Sequence, residues 1–149
     1  MAGARADLPG ERSAEVVDRL FDALSGGDVA AAAACCTPDV VVWHAFDQRP
    51  MDRAAVIGAW EELVAGFPER AFVDVRRSPV PGGWVQRHQM VARTPTGGRV
   101  AWPVTVFVTL RGGRVARIDE YMDRAGRHAP ADDDRATPGL PPVRSGSVL

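Results

Sequence analysis

His44 and Glu120 are the residues whose types and settings best suit proton-transfer chemistry. His44 ends the β-branched apolar run Val40-Val41-Val42-Trp43, and Glu120 lies in Arg114–Met122, a segment otherwise apolar on the face that Glu120 shares with Ile118 and Met122. A histidine with an ordinary pKa near ~6.5 takes or gives a proton at neutral pH. A glutamate in an apolar cavity has its charged form disfavoured, which raises its pKa into a useful range. Arg87 can stabilise an oxyanion or pair with Glu120 inside a sheet, and Gln89 can orient a ligand by hydrogen bonding. In a regular strand His88 points away from Arg87; a bulge would put His88 at the site instead. Such a set suits proton abstraction next to a carbonyl, a cyclisation or a water addition, and it calls for no cofactor and no metal. The bland readings are a structural histidine, a solvated Asp119-Glu120 edge and a buried Arg87–Glu120 pair.

Other chemistries find little support. All 18 basic residues are arginine, which excludes a Schiff-base or phosphate-loop lysine. There is no G-x-S-x-G elbow, no glycine-rich phosphate loop and no Cys/His ligand cluster. Cys35 and Cys36 are adjacent and read as small buried helix residues rather than as a disulfide. A net charge of −1 favours neither nucleic acid nor an anionic membrane. Met1–Gly10 lacks the apolar run of a signal peptide, so a cytoplasmic location is expected.

The elements that must position these residues follow from periodicity. Ser13 is placed to cap a first helix whose stripe is Val16, Val17, Leu20, Phe21 and Leu24, closed by Gly26-Gly27. Asp28 caps a second helix through Val29–Cys36, and Asp52 a third, with Val56, Ile57, Trp60, Leu63 and Val64 on its stripe. A strand at Val40–Trp43 lies between the last two helices. Strands then follow at Phe72–Arg76, Trp84–Arg93, Arg99–Leu110 and Arg114–Met122, separated by Pro/Gly-rich turns. Residues 1–12 read as a flexible leader, 13–124 as one domain and 125–149 as a disordered tail poor in large apolar groups.

The segments Phe21-Asp22-Ala23-Leu24-Ser25-Gly26-Gly27-Asp28, Trp43-His44, Thr94-Pro95-Thr96-Gly97 and Gly113-Arg114-Val115 through Ile118-Asp119-Glu120-Tyr121-Met122-Asp123 resemble the nuclear transport factor 2-like superfamily. That superfamily includes SnoaL-like cyclases, ketosteroid isomerases and limonene-epoxide hydrolases. The resemblance implies an α+β fold, a cone-shaped, strongly curved mixed sheet wrapped around three N-terminal helices, enclosing one pocket for a small apolar molecule. Against the epoxide hydrolases, the catalytic arginine falls on Arg87, the proton-donating aspartate on Gln89 and the water-activating aspartate on Glu120. The water-holding asparagine and tyrosine fall on His44 and Val42. Gln89 cannot act as an acid, so the acid half of that site is missing.

Against the ketosteroid isomerases, the general base again falls on His44, the protonated aspartate on Thr105 and the tyrosine on Leu20. The resemblance thus implies His44, Glu120, Arg87 and Gln89 as catalytic residues. Val42, Leu20, Trp60, Thr105, Ile118 and Met122 are expected to line the pocket. A homodimer is also expected, with Trp84, Trp102 and Val106 covering the convex face of the sheet. The expected function is a cofactor-independent isomerase, cyclase or epoxide-hydrolase-like enzyme; the alternative is a ligand-binding or accessory protein of the same fold.

Overall fold

The computed structural model describes residues 7–130. Helix α1 (Ala14–Gly26) and helix α2 (Val29–Ala34) precede strand β1 (Cys36–His44), the two-residue β2 (Pro50–Met51) and helix α3 (Arg53–Gly66). Strands β3 (Arg70–Val80), β4 (Gly83–Arg93), β5 (Arg99–Arg111) and β6 (Arg114–Met122) follow. The sheet order is β2-β1-β6-β5-β4-β3. β3 to β6 form an antiparallel meander, and β1 runs parallel to β6, so the sheet is mixed. It is curved and unclosed, and the helices pack into its concave side.

The apolar stripe of α1 drives this packing. Val16, Val17, Leu20 and Leu24 are buried, with Leu20 and Val17 fully so. They join Val40 and Val42 of β1, Val56 of α3, Val106 and Val108 of β5 and Ile118 of β6 in one core. Gly27 closes α1 in the left-handed conformation, which glycine adopts without steric cost. Asp28 and Asp52 cap α2 and α3, accepting from the amides of Ala31 and Ala55 at 2.9 Å.

Several boundaries differ from expectation. Ser13 is already helical in its backbone and caps nothing through its side chain. Its hydroxyl donates to Gly10 O at 2.6 Å and accepts from Trp84 Nε1 at 3.0 Å, tying the start of α1 to β4. The expected second helix stops at Ala34, and Cys36 opens β1. β1 passes through Pro38, which its pairing tolerates because β2 flanks only Val42 and Trp43. β3 extends through Pro79 because it is the edge strand of the sheet. Both cysteines are free and buried. Burial pushes the Cys36 thiol up to about 11, leaving it inert.

Local structure is also present on either side of residues 13–124. A 3-10 turn at Glu11–Ser13 precedes α1. Within the expected tail, His128 pairs its backbone with Ala101 through hydrogen bonds of 2.8 and 2.9 Å. Residues 1–6 and 131–149 lie outside the described residues. Among the described residues, no helix is long and apolar enough to cross a membrane.

Register decides which side chains face the helices. Trp84, Gln86, His88, Met90 and Ala92 of β4 lie opposite Val108, Val106, Val104, Trp102 and Val100 of β5, all buried on the concave face. Trp84, Trp102 and Val106 therefore belong to the core, correcting their expected place on the convex surface. The convex face carries Arg87, Gln89, Pro103, Thr105 and Phe107 instead.

Candidate functional site

A single row of side chains crosses the concave face. His44 pairs with Glu120, Glu120 with Val106, Val106 with Gln86 and Gln86 with Arg77, one residue from each of β1, β6, β5, β4 and β3. In a sheet, directly paired residues share a face. Strand spacing of ~4.8 Å therefore places Glu120 about 10 Å from Gln86 across Val106. The row has a His–Glu pair at one end and a Gln–Arg pair at the other.

At the first end, His44 Nε2 lies 3.6 Å from Glu120 Oε1. Burial pushes the Glu120 carboxyl up to about 7, although its side chain keeps 24% exposure. Burial also lowers the His44 pKa; Asp47 opposes this and Arg124 adds to it. Both shifts favour the neutral form of the group concerned. A protonated carboxyl beside a neutral imidazole is a donor and an acceptor within reach of one ligand. Val42 and Ile118, buried and paired with each other, floor the site below them.

At the other end, Arg77 donates to Gln86 Oε1 from Nε at 2.9 Å and from Nη2 at 2.6 Å. Nη2 also donates to Asp18 of α1 at 2.8 Å. The Gln86 amide nitrogen then reaches His88 Nδ1 at 3.0 Å. His88 is 4% exposed, with Phe21 and Phe72 edge-on at 5.1 and 5.2 Å. Its burial, aided by the Arg77 charge, pushes its pKa down to about 4.

These placements revise the expected site. His44 and Glu120 come together with Val42, Ile118 and Met122 on the same face. Arg87 does not join them: it is exposed on the convex face opposite Thr105. His88 faces inward in its place without the expected bulge, since the pairing of β4 to β5 is regular throughout. Gln89 shares the outer face with Arg87, its Oε1 buried and without a partner. An acid introduced there would sit outside the site. Thr105 is likewise on the outer face. Leu20 is a fully buried α1 core residue, and Trp60 of α3 is partly buried against the same core.

Arg77 and Gln86 were not expected at the site. Their signal is hidden because Arg77 reaches the concave face only through a break in β3 pairing between Val73 and Arg76, where Asp74 has φ 53°. Simple alternation from Phe72 would turn Arg77 outward.

A groove of about 610 Å³ lies past the ends of β1 and β6, lined by Ala45, Phe46, Tyr121, Met122, Asp123, Arg124 and Ala125 and by neither His44 nor Glu120. Phe46 stacks on the His44 ring at 4.8 Å, and the Arg124 guanidinium lies 4.8 Å over Phe46. Among the described residues, no group of three or more His, Cys, Asp or Glu is placed to hold a metal ion.

Residues 17–118 match the SnoaL-like domain, more than half of the chain. The chain belongs to the SnoaL-like domain family. No curated protein sequence matches it. Solved structures of similar fold include a protein from Pseudomonas putida KT2440 proposed to be a polyketide cyclase, 18% identical with a TM-score of 0.68, covering 78% of this chain and 95% of that one. IdmH from Streptomyces antibioticus, also proposed to be a polyketide cyclase, is 18% identical with a TM-score of 0.69, covering 77% of this chain and 94% of that one. SalBIII, an epoxide hydrolase/cyclase-like enzyme of pyran ring formation in the polyether salinomycin, is 16% identical with a TM-score of 0.66, covering 80% and 96%. At these identities the likeness establishes the fold of this SnoaL-like chain, in keeping with the nuclear transport factor 2-like superfamily, and leaves its chemistry to its own residues.

Proposed function

We propose that this SnoaL-like protein is a cofactor-independent acid–base enzyme that moves protons on a small, mostly apolar carbonyl compound, in the manner of a cyclase or isomerase. The observation that carries this reading is the His44–Glu120 pair, 3.6 Å apart on the concave face with the Glu120 pKa at about 7. Ionised Glu120 takes a proton from a carbon next to the carbonyl, and the C–H electron pair passes into the enolate. The enolate carbon then attacks a second carbonyl of the same molecule, forming a C–C bond. The resulting alkoxide receives a proton from the pair. Where the carbonyl compound is β,γ-unsaturated, the enolate is a dienolate, and return of the proton to its γ-carbon shifts the double bond into conjugation and completes an isomerisation. The apolar floor of Val42 and Ile118 suits an apolar ligand, and the groove at Phe46 and Met122 offers it an entrance.

Epoxide opening fits less well. Arg87 and Gln89 lie on the outer face, so the arginine-and-acid arrangement of the epoxide hydrolases has no counterpart beside Glu120. The cyclase naming of several structural neighbours agrees with this preference.

The test is exchange of α-protons for deuterium in enolisable ketones and diketones, followed by NMR with wild type, His44→Ala and Glu120→Gln. Both variants should lose ~10²–10⁴-fold in exchange rate, the usual contribution of a placed acid or base. Equal rates for all three proteins would replace this reading with that of a non-catalytic ligand-binding member of the family.

A further inference from the structure

We infer that Asp18, Arg77 and Gln86 form a positioning chain that holds His88 as the neutral Nε2–H tautomer, making His88 the hydrogen-bond donor for a ligand oxygen on the concave face. The inference rests on the reading of that face as a ligand site and assigns it a second polar contact, remote from the His44–Glu120 pair.

The chain has a direction because its first members cannot be reversed. A guanidinium only donates, so two Arg77 N–H groups at 2.9 and 2.6 Å fix the Gln86 oxygen toward Arg77. The Gln86 NH₂ must then face His88 and donate to Nδ1 at 3.0 Å. An imidazole nitrogen that accepts carries no proton, so the ring proton resides on Nε2. Among the described residues nothing accepts from that Nε2. Asp18 anchors the far end, accepting from Arg77 at 2.8 Å, and Ala14 O accepts from the same guanidinium at 3.4 Å.

The backbone supports a functional origin. Arg77 is brought inside by the irregularity in β3 and the left-handed Asp74. A bulge re-aims a side chain, and a non-glycine residue with positive φ stores strain that persists where the fold holds it. A buried glutamine standing alone would leave its amide unpaired. Here it is joined instead to an arginine, a histidine and a surface aspartate. A neutral N–H donor on a ring held between Phe21 and Phe72 suits a ketone or enolate oxygen.

Two measurements test the chain and the donor. Long-range ¹H–¹⁵N NMR at neutral pH should show wild-type His88 as the Nε2–H tautomer. Arg77→Met, which frees the Gln86 amide to turn, should give mixed tautomers. Gln86→Glu, which can only accept, should put a proton on Nδ1. A wild-type His88 with Nδ1–H, or the Nε2–H tautomer unchanged in the folded variants, would overturn the positioning chain. Binding is read with 1-tetralone and tetralin, which share a carbon frame and differ in one carbonyl. Wild type should prefer tetralone by ~10-fold, and His88→Phe should remove the preference. No preference in wild type, or a preference kept in His88→Phe, would overturn the donor role. Ketone binding needs no proton transfer, so this outcome is separate from the α-proton exchange that tests His44 and Glu120.

Discussion

Glu120 carries a cost in stability that its proposed chemistry explains. Its folded-state pKa is raised to about 7 from an ordinary 4.5, so the folded state binds the proton more tightly than the unfolded chain does. The sign follows from linkage: this contribution is fully present below pH 4.5 and is lost as pH rises through 7. At 1.36 kcal/mol per pKa unit the loss is of order 3 kcal/mol above pH 7. Glu120→Gln keeps the shape and removes the charge. It should be more stable than wild type at pH 8, equal to it near pH 4, and inactive at both, with chemical denaturation across pH as the measurement. His88 acts in the opposite sense. Its pKa falls from 6.5 to about 4, so its contribution is present above pH 6.5 and is lost as pH falls toward 4. His88→Phe should therefore flatten the acid side of the stability profile and leave the alkaline side alone. An alkaline slope that survived Glu120→Gln would place the titrating group elsewhere.

The elements show where a sequence speaks and where it is silent. Helix caps at Asp28 and Asp52, the glycine stop after α1 and the strand Arg114–Met122 were legible because each rests on local chemistry. The pairing of His44 with Glu120 was legible too, because alternation is regular from Val41 to His44 in β1 and from Arg117 to Glu120 in β6, beyond the register shifts earlier in both strands. Arg87 and His88 were separable only by parity along β4, and the family resemblance pointed to Arg87, which faces outward. Parity is fixed by pairing with β5, where Gly83 meets Thr109 and leaves space for nothing larger: a Cβ there would stand 1.8 Å from Val108 O. Gly83→Ala should cost about 3 kcal/mol or more, since backbone and not a flexible side chain must move. Arg77 was hidden altogether, because a bulge is a tertiary feature that inverts alternation. Asp74, left-handed at φ 53°, marks it. Asp74→Val should destabilise by ~1–2 kcal/mol, since a β-branched residue resists that conformation, and Asp74→Gly should be tolerated. Equal melting temperatures for the two variants would show that the bulge is held by its neighbours alone.

For the whole molecule, the concave face is committed to the helices and the site, which leaves the convex face to account for. Phe107 and Tyr121 are 42% and 49% exposed there, and Val73 and Val75 are 40% and 46% exposed. Trp43, Tyr121 and Phe107 meet edge to face at 5.5 and 6.1 Å, forming one aromatic cluster across three strands. The Arg117–Asp119 pair gives this cluster a polar border. An apolar centre with a charged rim is the anatomy of an association surface. A second copy of this chain is the proposed occupant, bringing the same patch about a two-fold axis. Trp84, Trp102 and Val106 play no part in that surface, since they are packed in the core. Sedimentation at micromolar concentration should therefore give a dimer. Phe107→Arg and Tyr121→Arg should each shift it toward monomer while leaving far-ultraviolet circular dichroism unchanged, because both side chains already face outward. Phe107 does not line the groove and lies on the face opposite the His44–Glu120 pair, so the monomeric Phe107→Arg variant should keep α-proton exchange. A wild-type monomer under these conditions, or arginine variants that remain dimeric, would reject the convex face as the interface.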